Sequence, residues 1–114
     1  MRAYKNWSDN GEKNMPQFQN SYNVKHCEKK LTHEELVRAI RFNIAAEYEA
    51  IQLYEQVIES TDNKLVKTVL KDISDEEKEH AGELLKVLIE LEPDESKFYA
   101  EGAHEVEDMM DSSK

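Results

Sequence analysis

Glu47, Glu77 and His80 fall at positions that helical periodicity reserves for apolar side chains. One segment reads Val37, Ile40, Ile44, Glu47, Ile51, Tyr54, Ile58; a second reads Val66, Leu70, Ile73, Glu77, His80, Leu84, Val87, Leu91. The alternating three-four spacing puts each set on one stripe of an α-helix. Two carboxylates and an imidazole therefore point the same way as Ile, Leu and Val. Burying an unpaired carboxylate costs several kcal/mol or forces it to neutralise. A metal ion held jointly by carboxylate and imidazole offsets that cost; the competing compensation is an Arg or Lys from a partner chain. In Glu77-x-x-His80 the two side chains stand one turn apart on one face, so both reach a single ion. Such a pair is common by chance, and its stripe position is what makes it informative.

The elements that must position these groups are helices. Thr32-His33-Glu34-Glu35 is a capping box that starts a long helix. Ser60, Thr61, Asp62 and Asn63 form a turn that restarts a second, and Pro93 stops it. Each helix is about 28 to 30 residues, and the short turn makes the two antiparallel neighbours. Glu47 lies about 14 residues before the turn and the Glu77/His80 pair about 15 to 18 after it, so folding the hairpin brings all three to one level. The sequence thus divides into an extended N-terminal arm (1–30) with scattered aromatics (Tyr4, Trp7, Phe18, Tyr22), a two-helix hairpin (31–92), and a short third helix with a frayed tail (93–114).

Composition supports an all-α fold: 3 Gly, 2 Pro and 35% charged residues leave little material for a tightly turned sheet. A formal charge of −10 argues against nucleic acid and anionic membranes as partners, and it attracts cations. The single Cys27 excludes a disulfide framework or a four-cysteine metal site within one chain. No stretch approaches the roughly 18 apolar residues of a membrane span, and the N-terminus lacks the apolar stretch of a signal peptide. The expected location is the cytoplasm.

Carboxylate-rich ligation with one imidazole per half is the di-iron or di-manganese arrangement of ferritin-like bundles, in which two helices give one Glu each and two give Glu-x-x-His. This chain encodes half of that set. The simplest completion is a homodimer of hairpins forming a four-helix bundle around two metals, with metal binding and pairing linked.

The stretch Ile44-Ala45-Ala46-Glu47-Tyr48-Glu49-Ala50-Ile51-Gln52-Leu53-Tyr54-Glu55-Gln56, followed by Asp75-Glu76-Glu77-Lys78-Glu79-His80-Ala81, resembles the encapsulated ferritins, half-size members of the ferritin-like superfamily, and is similar to the helical part of rubrerythrins. The resemblance covers about Thr32 to Leu91. It implies a ferroxidase centre that oxidises Fe(II) with O2 or H2O2 for iron storage or detoxification. Glu47, Glu77 and His80 would be the iron ligands, Tyr54 an outer residue facing the metals, and Glu49 part of an acidic path by which iron enters. Manganese, zinc or calcium would be substitutes for iron. Dimers would assemble into a larger ring inside an encapsulin nanocompartment, although the run Met109 to Lys114 does not look like a shell-targeting peptide. The alternative is a rubrerythrin-like protein that reduces peroxide with an external electron donor, and a third reading is a metal-stabilised structural bundle without turnover.

His26 and His33 lie off the stripe and read as ordinary exposed or capping residues, and Cys27 as an inert thiol. Asp72, Asp75, Glu76, Glu79 and Glu83 read as a solvated face, and Tyr48 as a packing aromatic. His104, among Glu101, Glu105 and Glu107, reads as either an exposed residue or a secondary metal ligand.

Overall fold

The structure, a computed structural model, describes residues 29–113. The expectation of an extended arm, with its aromatics, His26 and Cys27, falls on residues outside that range apart from the last two positions. Three helices follow: α1 (His33–Ser60), α2 (Lys64–Leu91) and α3 (Pro93–Ser112). All regular structure among the described residues is helical, as composition and periodicity require.

Each boundary has a chemical cause. Thr32 caps α1 with both bonds of the box: the backbone N–H of Glu35 donates to Thr32 Oγ1 at 3.2 Å, and that of Thr32 to Glu35 Oε1 at 3.0 Å. Asn63 caps α2, its side-chain oxygen accepting from the Val66 N–H at 3.0 Å. Glu92 closes α2 and opens α3 at φ −132°, ψ 78°. The residue before a proline is driven out of the α region, while Pro93 is well suited to the first helical position, so one dipeptide ends one helix and begins the next.

The hairpin core is narrow. Val37, Ala39 and Ile51 of α1 and Ser74, Ala81 and Leu88 of α2 are buried. On α1 every residue of the expected stripe is buried or half-buried. On α2 the stripe that faces α1 is Leu70, Ser74, Glu77, Ala81, Leu84, Leu88 and Leu91, whereas Val66, His80 and Val87 of the expected stripe are exposed. The apolar pattern on α2 therefore merges two seams that sit one residue apart.

That offset locates a second face. An antiparallel pair has an approximate two-fold axis normal to its plane, so residues one place before each inward position line the same side of both helices. On α1 these include Leu36, Ala46, Ala50, Leu53 and Val57; on α2, Val69, Ile73, His80 and Val87, with Glu76, Glu83 and Glu90 towards its outer edge. Leu53 is 56% exposed, Val57 46%, Val69 46% and Val87 44%, so one side of the hairpin presents an open apolar face. A contiguous patch of this kind is unusual on a monomer.

α3 is held at its start. His33 Nε2 lies 3.2 Å from Glu92 Oε1, and Glu95 accepts both from Arg41 and from the Tyr99 hydroxyl. The helix is longer than the short element expected, running 20 residues through Gly102. Glycine inside a helix costs only about 1 kcal/mol relative to alanine, and Ala100, Glu101, Ala103 and Glu105 around it are of helix-compatible type.

Ser74 is 1% exposed and its hydroxyl has no hydrogen-bond partner. An orphaned buried hydroxyl costs roughly 1–3 kcal/mol, so Ser74→Ala is expected to raise the stability of the folded chain by about 1 kcal/mol or more. Chemical denaturation reads this directly, and a destabilised S74A variant would show that the hydroxyl is bonded in solution.

Candidate metal centre

Glu47 is placed by the middle of α1 and Glu77 and His80 by consecutive turns of α2, and the cross-hairpin register sets them at one level. One donor atom from each lies within 4.8 Å of the other two, and they form the only such grouping of metal-binding side chains among the described residues. His80 Nδ1 stands 3.6 Å from Glu77 Oε1 and 3.9 Å from Glu47 Oε2. The two carboxylates are mostly covered, with side chains 22% and 19% exposed, whereas the His80 side chain is 47% exposed. The group thus sits between the helices and opens through His80 onto the apolar face.

Glu47 Oε2 is buried without a hydrogen-bond partner. A hydrogen bond with the Glu77 carboxyl raises the Glu47 pKa above its ordinary value; burial and the charge of Glu77 add to the rise, and His80 opposes it. The donor set, two carboxylates and one imidazole with an oxygen left over, suits a divalent transition metal.

The raised pKa gives a pH dependence. A carboxyl whose folded pKa exceeds its unfolded value contributes stability that is complete below the unfolded pKa and is lost as pH rises through the folded one. The metal-free protein is therefore expected to melt at lower temperature as pH climbs from the ordinary glutamate range through the raised Glu47 value. A divalent ion, which replaces the proton, should flatten that slope. Thermal melts across pH with and without metal measure this, and a Glu47→Gln variant with the parent's slope would refute the assignment.

The other expected residues are not in this cluster. Tyr54 lies half-buried two turns beyond Glu47 on the same stripe. Glu49 is exposed, and a two-residue step carries it about 200° around α1 from Glu47, so the single chain does not bring it to the centre. His104 is exposed and faces Glu107 at 3.7 Å and Asp108 at 3.8 Å along its own helix, without converging into a metal-holding group. His33 is half-exposed and pairs with Glu92. Asp72, Asp75, Glu76, Glu79 and Glu83 are exposed, as a solvated face requires. Sequence reasoning missed the Arg41–Glu95–Tyr99 network, which joins groups 54 positions apart in the chain and leaves no local signal.

Comparison with known proteins places the fold in a family. The rubrerythrin family model matches residues 38–111. The chain belongs to the rubrerythrin family, within the ferritin-like proteins. It is 43% identical over 68 residues to the encapsulin nanocompartment cargo protein EncC of Myxococcus xanthus, covering 60% of this chain and 52% of that protein. It is 37% identical over 82 residues to the ferritin-like-encapsulin shell fusion protein of Pyrococcus furiosus, covering 72% of this chain and 24% of that one. The chain thus spans about half and about a quarter of the lengths of these two relatives. The crystal structure of the encapsulated ferritin domain from Pyrococcus furiosus superposes with a TM-score of 0.71 at 36% identity, over 77% of this chain and 92% of that domain. Rubrerythrin and ferritin-like proteins bind iron, and the Glu47/Glu77/His80 group is a candidate carboxylate–imidazole metal site.

Proposed function

We propose that two copies of this chain pair through the open apolar face and that the joined centre oxidises Fe(II), taking iron as substrate for storage or detoxification. The observation that carries this reading is the convergence of Glu47, Glu77 and His80 at the edge of an unpaired apolar face, with one buried carboxylate oxygen lacking a hydrogen-bond partner. A single chain offers three donors, too few to enclose two ions. A pair offers two Glu47, two Glu77 and two His80, and its four carboxylates balance the charge of two divalent ions, which makes their burial tolerable. An iron pair bound there supplies the two-electron chemistry by which O2 or H2O2 is reduced. The chain's own groups hold the cations and exclude water through the flanking apolar side chains. Tyr54, on the stripe that carries Glu47, would hydrogen-bond at the margin of the centre, and Glu49 would draw iron in only at a surface that pairing creates.

The encapsulin-related relatives and the encapsulated ferritin domain favour a location inside a nanocompartment in the cytoplasm, with dimers joined into a larger assembly. The rubrerythrin family match favours a second reading, peroxide reduction with an external electron donor. Anaerobic Fe(II)-loaded protein exposed separately to O2 and to H2O2 distinguishes them. Oxidation by O2 with retention of Fe(III) is expected, while a strong preference for peroxide together with re-reduction by a redox partner would establish the second. A rate no greater than that of Fe(II) in buffer would leave only a structural metal site.

A further inference from the structure

Two buried side-chain atoms among the described residues lack a hydrogen-bond partner: Glu47 Oε2, an acceptor, and Ser74 Oγ, whose hydroxyl can donate. Both belong to the seam between α1 and α2. Ser74, 1% exposed, stands three residues before Glu77 on the inward stripe of α2, about 4.5 Å along the axis at 1.5 Å per residue. Side chains so spaced are neighbours.

A serine within a helix has a usual recourse, which is to donate to the carbonyl four residues back. Ser60 does so to Gln56 at 2.7 Å, Thr68 to Lys64 at 2.9 Å and Ser112 to Asp108 at 2.9 Å. Ser74 makes no such bond to Leu70. Close packing of the two helices calls for a small side chain at this place and not for a polar one, since Ala81, two turns further along the same seam, is buried as well. Size leaves the hydroxyl unexplained. An orphaned hydroxyl kept in a core at a cost in stability calls for a partner in another arrangement of its neighbours.

The acceptor within reach is the Glu77 carboxylate. Cα–Cβ bonds tilt towards the N-terminus of a helix, so the Glu77 side chain covers the turn that holds Ser74, whereas that of Glu47 leans along α1 the opposite way. In the structure a Glu77 oxygen lies instead with the other donors of the cluster, 3.6 Å from His80 Nδ1. A carboxylate that gives one oxygen to a cation keeps the second for a hydrogen-bond donor, and ligating carboxylates are held in this way.

We propose that Ser74 is a positioning residue of the metal centre, its hydroxyl donating to the Glu77 carboxylate when that group holds a divalent cation. Such a bond has an ionised acceptor, which makes it stronger than one between neutral groups. The inference rests on the ligand role of Glu77 in the reading above and adds a residue that touches no metal. It gives the hydroxyl opposite effects in the two forms, destabilising the chain alone and strengthening its hold on the ion.

Anaerobic titration calorimetry of Fe(II) into the full chain, its Ser74→Ala variant and its Ser74→Thr variant, beside thermal melts with and without the ion, tests this. Ser74→Ala should melt above the parent without metal, bind Fe(II) about tenfold more weakly and gain less melting temperature from it. Ser74→Thr keeps the hydroxyl and should bind as the parent does. A serine with a packing role alone would move the melts and leave the affinity unchanged. Parent affinity in Ser74→Ala, a metal-free melt below the parent's, or equal weakening in both variants would therefore overturn the proposal while leaving the metal centre in place. A parent that takes up no Fe(II) would remove the centre and the role of Ser74 together.

Discussion

Glu47→Ala should abolish Fe(II) oxidation above buffer background while leaving the metal-free chain folded. The two effects part company because of how Glu47 is held. Its buried Oε2 has no hydrogen-bond partner, so truncation removes an unmet polar group as well as some packing, and the metal-free melting temperature should change little. Metal affinity should fall by at least about 100-fold, since even residues that merely orient a ligand are worth 10–100-fold. In the proposed pair the loss counts twice, once from each chain. Stopped-flow oxidation kinetics beside a thermal melt would show the separation. A variant that still oxidises iron at the parent rate would remove Glu47 from the centre.

Metal should act on assembly as strongly as on activity. The described hairpin buries few side chains completely, and Leu53, Val57, Val69 and Val87 stay exposed on its open face. Covering that face and occupying the centre are expected to be one event, so the metal-free chain should populate monomer and divalent metal should drive it to pairs. A ligand at 100 times its dissociation constant adds about 2.7 kcal/mol to the folded state. For a domain of this size that corresponds to a rise of about 10 °C or more in melting temperature. Chelation should reverse both changes, and light scattering with calorimetry measures them together. A chain whose mass and melting temperature ignore metal would show that the centre and the interface are independent.

The hairpin was legible because its determinants are local. The Thr32 box, the Asn63 cap and Pro93 each act within a few residues, and the three-four spacing on α1 marks its inward face without ambiguity. The same spacing on α2 mixed two faces. Ser74, being polar, gives no apolar signal of its place in the core, and the spacing puts His80 on the inner stripe although it stands one step outside it. The metal group survived that error, since a carboxylate and an imidazole one turn apart still converge when the stripe rotates slightly. α3 runs on through Gly102 to Ser112 because the residues around the glycine are of helix-compatible type. The ties of α3 to Arg41 and His33 depend on contacts 54 and 59 residues apart, beyond the reach of any periodicity. Glu49 came only from resemblance, and nothing local to α1 turns it towards Glu47.

The central claim concerns two chains and two ions, and X-ray diffraction from iron-loaded crystals, recorded on both sides of the iron absorption edge, addresses it most directly. Two anomalous peaks are expected between a pair of hairpins, each within ligand distance of carboxylate oxygens of Glu47 and Glu77 and a ring nitrogen of His80, with both chains contributing. Peaks confined to one chain, peaks remote from these side chains, or a map without iron in which Glu47 and Glu77 face bulk water would contradict it.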